Sequence, residues 1–244
     1  MGDEHLGEHP CCSGQSPNEQ AAFLPDDDYF PLIEARHCDP FRLLGIRKEG
    51  GRTVARVFRP DANRVTIVEE GGLNRRFELE KKDDVGLFEA ELEGDAPIGY
   101  RCDFEGHNGE KWSQLDPYAF PPVLGEMDIH LFNEGTHYDI YKKLGAHLME
   151  INGVRGVHFA VWAPNAQRVS IVGDFNHWDG RVHPMRKLVP SGIWEIFIPE
   201  VAEGDHYKVE IRGPHGDVFL KTDPMAFYAQ HGTQTGCMVF DLNR

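Results

Sequence analysis

From Arg52 onward the apolar residues fall in short runs that alternate with polar ones and are interrupted by Gly, Asn and Asp. Residues 53–59, 64–69, 75–80, 87–92 and 100–104 concentrate Val, Ile, Phe and Thr in strand-length segments, and 156–163, 168–173, 192–198, 206–211, 218–220 and 238–241 resume the same rhythm. Between them stand Glu49-Gly50-Gly51, Glu70-Gly71-Gly72, Asp84-Val85-Gly86 and His107-Asn108-Gly109, whose residues tolerate the positive φ of tight reversals. No long amphipathic helix alternates with the strands, so a parallel sheet with helical crossovers is disfavoured and antiparallel β-sandwiches are expected.

The pattern is also written twice. Arg59-Pro60-Asp61-Ala62-Asn63-Arg64-Val65-Thr66-Ile67-Val68 returns as Ala163-Pro164-Asn165-Ala166-Gln167-Arg168-Val169-Ser170-Ile171-Val172. Leu44-Gly45 returns as Leu144-Gly145, Gly86-Leu87-Phe88-Glu89 as Gly192-Ile193-Trp194-Glu195, Tyr100 as Tyr207, and Asp116-Pro117-Tyr118-Ala119-Phe120 as Asp223-Pro224-Met225-Ala226-Phe227. A period near one hundred residues is that of a small domain and not of a solenoid repeat. The expected fold is therefore all-β: two tandem immunoglobulin-like β-sandwiches joined by a short helical connector. Residues 1–35 read as a polar, partly disordered leader, 36–122 as the first sandwich, 123–147 as the connector and 148–244 as the second sandwich. Within the connector a short helix is expected over residues 137–144, with Thr136 as its cap and Gly145 at its exit.

Composition narrows the partners. The 244 residues hold 25 Lys and Arg against 40 Asp and Glu, a formal charge of -15 that repels phosphate backbones and anionic lipid, so neither nucleic acid nor a membrane is expected. No apolar run reaches the length of a membrane span, and the first residues lack the basic and apolar regions of a signal peptide. The odd set Cys11, Cys12, Cys38, Cys102 and Cys237 has no C-x-x-C pair, which favours free thiols, a reducing compartment and hence the cytoplasm. The thirteen histidines have no ligand-like spacing, and no nucleophile elbow or phosphate-binding loop occurs, so no metal and no cofactor are expected.

One segment has no counterpart in the other repeat. Gly173-Asp174-Phe175-Asn176-His177-Trp178-Asp179-Gly180 follows a predicted strand directly, where the first repeat has Val68-Glu69-Glu70-Gly71-Gly72. Asp, Asn and Gly form turns, so this loop sets Trp178 at the end of a sheet. An exposed indole there offers a flat apolar face to the carbon–hydrogen face of a pyranose, with Asn176 and Lys208 as neighbours able to bond its hydroxyls. The alternative is that Trp178 folds back as packing and Asn176 merely holds the turn. Trp162 and Trp194, within strands, are expected in the core.

These segments resemble a known family. Asp39-Pro40-Phe41-Arg42-Leu43-Leu44-Gly45, Val157-His158-Phe159-Ala160-Val161-Trp162-Ala163-Pro164-Asn165-Ala166, the 173–180 loop, His183-Pro184-Met185, Tyr207-Lys208 and Lys221-Thr222-Asp223-Pro224 are together similar to the amino-terminal part of 1,4-α-glucan (glycogen) branching enzymes. The resemblance implies two β-sandwiches ahead of a (β/α)₈ catalytic barrel, whose carboxylates perform a retaining chain transfer from α-1,4 to α-1,6 linkage. This chain stops before such a barrel, so no catalytic residue is assigned and the chain alone is expected to be inactive. Its expected role is accessory: binding an α-glucan and supporting the barrel, with a free-standing glucan-binding module or a purely structural module as alternatives. Within the resemblance, Trp178 matches the tryptophan that stacks on glucose in glycogen-targeting modules, and Lys208 matches their lysine beside a tyrosine. A second platform tryptophan of those modules is replaced by Val218-Phe219-Leu220, and a proline common near the end of the region is missing from residues 230–237.

Overall fold

A computed structural model describes residues 24–230 and 235–242. The first unit holds β1 (Gly45–Glu49), β2 (Arg52–Phe58), β3 (Ala62–Glu70), β4 (Arg76–Lys81), β5 (Leu87–Leu92), β6 (Gly99–Gly106) and β7 (Lys111–Leu115). They form one antiparallel path, β1-β2-β5-β4-β3-β6-β7, in which β4 pairs with β5 on one side and β3 on the other. The second unit has two sheets. One has the order β11 (Arg186–Leu188), β12 (Ile193–Pro199), β9 (Val154–Trp162), β8 (Gly145–Ile151). The other runs β10 (Arg168–Gly173), β13 (His206–Arg212), β16 (Cys237–Met238), β15 (Tyr228–Ala229), with β14 (Val218–Lys221) also on β13. The predominance of strands, in two sandwich units, bears out the all-β expectation. Each predicted strand lies on an observed one except that expected over 238–241, which meets β16 only at Met238, while β1, β7, β8, β11 and β15 carry too little apolar alternation to have been read.

The helices differ from expectation. The expected helix over 137–144 is a single 3₁₀ turn, Ile140–Lys142, and the connector's α-helix is α2 (Glu126–Asn133), ahead of Thr136. An equivalent helix, α1 (Asp26–Ile33), occupies the end of the segment read as a leader. The acidic run that made this stretch look disordered, Asp26-Asp27-Asp28, is the first turn of α1, where negative charge opposes the positive end of the helix dipole. Both helices are followed by the same tie: His37 Nε2 lies 3.4 Å from Asp28, and His137 Nε2 lies 2.9 Å from Asp128. The repeat thus begins at the helices, upstream of the sandwiches. Residues 1–23, the rest of the expected leader, lie outside the described residues.

The duplicated residues hold duplicated corners. Tyr100 donates to Asp116 at 2.6 Å and Tyr207 to Asp223 at 2.9 Å, while each aspartate also accepts a backbone N–H two residues on. Burial pushes both carboxyls up, and these hydrogen bonds draw them partly back. Gly86 and Gly192 have φ of 120° and 72°, and a Cβ on either would stand 2.7 Å from the Cα of Pro60 or Pro164, so only glycine fits where strand meets the Arg59-Pro60 or Ala163-Pro164 turn.

The two units share packing. The core of the second sandwich, built on Phe159, Ile171, Trp194, Ile196, Tyr207 and Val209, also contains Cys38 and Phe41 from ahead of the first sandwich, with Tyr118 packed against it. Arg186 lies over the Phe41 ring at 3.7 Å, and Phe120 packs on Phe197 with ring centroids 4.8 Å apart. The outer face of the β11-β12-β9-β8 sheet is covered by the connector, where Leu124, Ile129, Phe132 and Ile140 meet Ala160 and Ile193.

Candidate functional site

The loop after β10 is built by its own polar residues. Gly173 ends the strand at a place where a Cβ would meet the His206 carbonyl oxygen at 2.3 Å, so the chain turns at the one residue that permits this approach. A 3₁₀ turn, Asp174–Asn176, follows, and His177 and Trp178 then take left-handed conformations with φ of 54° and 60°. Backbone of this kind in non-glycine residues requires support from its surroundings. Asn176 supplies it, and for that reason it is not a ligand-facing residue. It is 2% exposed, its Nδ2 donates to the Ile171 carbonyl at 2.8 Å and to His183 Nδ1 at 2.9 Å, and its Oδ1 accepts the Gly173 N–H at 2.9 Å. The expectation that Asn176 bonds sugar hydroxyls is corrected on this ground: its amide is consumed inside the fold.

His183 accepts through Nδ1 only while neutral. Burial, reinforced by the Arg59 charge, pulls its pKa down to about 3. The far end of the loop is held by Arg168, a buried guanidinium that donates to the Gly180 carbonyl at 2.9 Å and pairs with Glu210. Phe175 turns inward against Phe159.

Trp178 is left at the surface, 39% exposed. Its backbone N–H donates to the Gly173 carbonyl at 3.0 Å and its Nε1 to Asp174 Oδ1 at 3.0 Å, with His206 Nδ1 3.6 Å from the other Asp174 oxygen. The ring is thus oriented by its edge. Lys208 stands on β13 opposite Val172, with Tyr207 and Val209 buried on either side of it, so it points away from the core at the same end of the ladder. Its ammonium donates to Thr235 Oγ1 at 2.9 Å. Loop and lysine are brought to one end of one sheet.

Sequence reasoning missed a second exposed indole. Trp162, expected in the core, is 57% exposed: Phe159 and Val161 face inward, and Trp162 lies on the outer face at the margin of the connector's cover. Its Nε1 donates to the Ser191 carbonyl at 3.1 Å and Phe132 meets it edge-on at 6.1 Å. The phase of Trp162 within β9, two residues from the outward Ala160, was the available signal. Trp194 is fully buried, with Nε1 donating to the Ala163 carbonyl at 2.9 Å. Among the described residues no cluster of His, Cys, Asp or Glu has the form of a metal site, and no helix is long and apolar enough to cross a membrane.

Comparison with known proteins divides the chain at the same joint. Residues 25–118 match the N-terminal domain of the α-1,4-glucan branching enzyme GlgB, and residues 143–226 match carbohydrate-binding module 48, the isoamylase N-terminal domain. The chain is 49% identical over 226 residues to the 1,4-α-glucan branching enzyme GlgB of Rhodopseudomonas palustris, covering 91% of this chain and 30% of that protein. It is 48% identical over 221 residues to the protein of that name in Bradyrhizobium diazoefficiens, covering 89% of this chain and 30% of the relative. The chain therefore spans about 30% of the length of these curated relatives. A solved apo pullulanase of Klebsiella pneumoniae aligns at 17% identity with a TM-score of 0.36, over 78% of this chain and 23% of its own.

Proposed function

We propose that this chain, which has the amino-terminal architecture of the 1,4-α-glucan branching enzymes, binds α-glucan through the Trp178 face and holds it for a chain-transferring catalytic domain. The observation that carries the reading is the Trp178 indole, half out of the surface and fixed at both its backbone N–H and its Nε1. A ring already oriented loses little freedom when a pyranose stacks on it, which raises affinity at fixed contact area. Lys208 is the hydroxyl-directed partner, reached by exchanging its bond to Thr235 for one to the sugar. Chain transfer itself is assigned to a catalytic barrel, for which the two units form a rigid accessory region. The free thiols of Cys102 and Cys237 fit a reducing compartment and support a cytoplasmic setting.

The test is affinity electrophoresis of the full chain through a glycogen gel, comparing the parent with Trp178→Ala. Loss of one stacking face is expected to weaken retention about tenfold, equivalent to about 1–2 kcal/mol. Retention is expected to change little with salt, because a neutral polymer releases no counterions. Equal retardation of two folded proteins would transfer the role to structural support of the catalytic domain.

A further inference from the structure

Sheet edges in proteins are ordinarily blunted by charge, and most edges of this molecule follow that rule. β1 presents Arg47, Lys48 and Glu49, and β7 presents Lys111, Ser113 and Gln114. β14 does not. Val218, Phe219 and Leu220 are 51%, 46% and 55% exposed in succession, and among the described residues no hydrogen bond reaches their backbone from any strand but β13.

The register of β14 determines which of its groups face outward. Gly213 N–H donates to the Asp217 carbonyl at 2.8 Å, and the ladder pairs Arg212 with Val218, Ile211 with Phe219, Glu210 with Leu220 and Val209 with Lys221. Antiparallel pairs alternate between hydrogen-bonded and non-hydrogen-bonded, so Phe219 and Lys221 turn their backbone groups toward β13 while Val218 and Leu220 turn theirs to the open edge. Side chains at alternate positions share a face, which places Asp217, Phe219 and Lys221 together; Lys221 Nζ indeed lies 5.6 Å from the centre of the Phe219 ring.

We propose that this edge pairs with β14 of a second copy of the chain, antiparallel, about a twofold axis at Phe219. In that register Val218 faces Leu220 of the other copy, and both carry outward backbone groups, so four interchain hydrogen bonds form without distortion. Asp217 then faces Lys221 of the other copy twice over, and the two Phe219 rings meet at the axis, where a non-hydrogen-bonded pair brings side chains closest. Opposite charges at symmetric ends of a short apolar strand are what a self-complementary interface requires. The contact is short, so a weak dimer is expected, held against a chain whose formal charge is -15.

Sedimentation equilibrium of the full chain over a concentration series at physiological salt tests this. The parent is expected to show a monomer–dimer equilibrium, and Asp217→Lys and Lys221→Asp each to raise the dissociation constant by roughly tenfold or more, since like charges then oppose across the strands. Mixing the two single variants is expected to restore association as a heterodimer, and the double exchange Asp217→Lys with Lys221→Asp to restore the homodimer, which no folding defect would do. A parent that remains monomeric throughout, or a dimer indifferent to both reversals, overturns the proposal and leaves the edge to a partner other than this chain.

Discussion

Glu89 and Glu195 occupy the same place in the two repeats and do different work. Glu89, 5% exposed, accepts from Arg56 Nε at 2.5 Å, and Arg56 in turn makes a bidentate pair with Glu49 at 2.5 and 2.7 Å. All three belong to the first unit. Glu195 is fully buried and accepts the backbone N–H groups of Val123 and Leu124 at 3.2 and 3.0 Å, together with His158 Nε2 at 3.0 Å, and pairs with Arg186 at 3.3 Å. Burial alone would raise its pKa. The His158 hydrogen bond and charge, the Leu124 amide and the Arg186 charge outweigh that and hold it below the ordinary carboxylate range. One buried acid therefore braces its own sheet, while its duplicate ties the second sheet to the segment arriving from the first unit. The two repeats keep the same corners, Tyr100 with Asp116 and Tyr207 with Asp223, while the copied charge of the second joins the halves.

The strongest way to break this asymmetry is to cut it. Residues 148–244 expressed alone lack Cys38, Phe41 and Tyr118 at the core and Leu124 on the outer sheet, so the fragment is expected to lose dispersed amide resonances; a well-dispersed, cooperatively unfolding fragment would show the second unit to be self-sufficient. Next in size is Glu195→Ala, which strands a buried histidine, a partly exposed arginine and two amides and is expected to cost about 3–5 kcal/mol in urea unfolding of the full chain. Glu89→Ala leaves Arg56 still paired with Glu49 and is expected to cost clearly less, on the order of 2 kcal/mol. Equal losses would erase the distinction between brace and tie.

A second difference lies in the loop that only the second unit has, and acid reads it. Unfolded, His183 takes up a proton below its ordinary pKa of 6.5, whereas folded it resists until about 3, so its contribution to stability is present above 6.5 and lost as the pH falls between those values. By pH 5 the loss is expected to reach about 2 kcal/mol. Urea midpoints at pH 7 and 5 for the parent and His183→Gln measure it, and an unchanged pH dependence in the variant would remove His183 as the cause. The smallest effect expected is on glycogen retention: Asp174→Ala frees the Trp178 indole from its Nε1 anchor and should weaken binding by about threefold, at the lower end of what ordering one side chain costs, with no change in the urea midpoint. Retention equal to the parent would mean the ring needs no anchor.

Strand periodicity, the turn residues between strands and the repeated Asp-Pro segments were legible because each is a local pattern, set by residues within a few positions and repeated in the sequence itself. The helices were not. α1 and α2 are eight residues each, too short to show a clear amphipathic stripe, and the shared histidine–aspartate ties that mark them become meaningful only in three dimensions. The Trp178 loop was placed correctly by its turn residues, but the roles of its members divided where sequence has no voice. Asn176 and Trp178 stand two positions apart in one loop, and only the folded chain shows that the first is consumed by Ile171, Gly173 and His183 while the second is left in water.

The sequence by itself determined the two-unit, all-β plan, the kinship of the units and the loop in which they differ, since hydrophobic period and turn chemistry are properties of neighbours along the chain. Tertiary structure decided which tryptophans are covered, that Phe41 seals a core built more than a hundred residues later, and that Glu195 and not Glu89 spans the joint. Burial and the partner of a buried charge depend on what other segments lay across a residue, and that is settled only when the connector and both sheets have closed on one another.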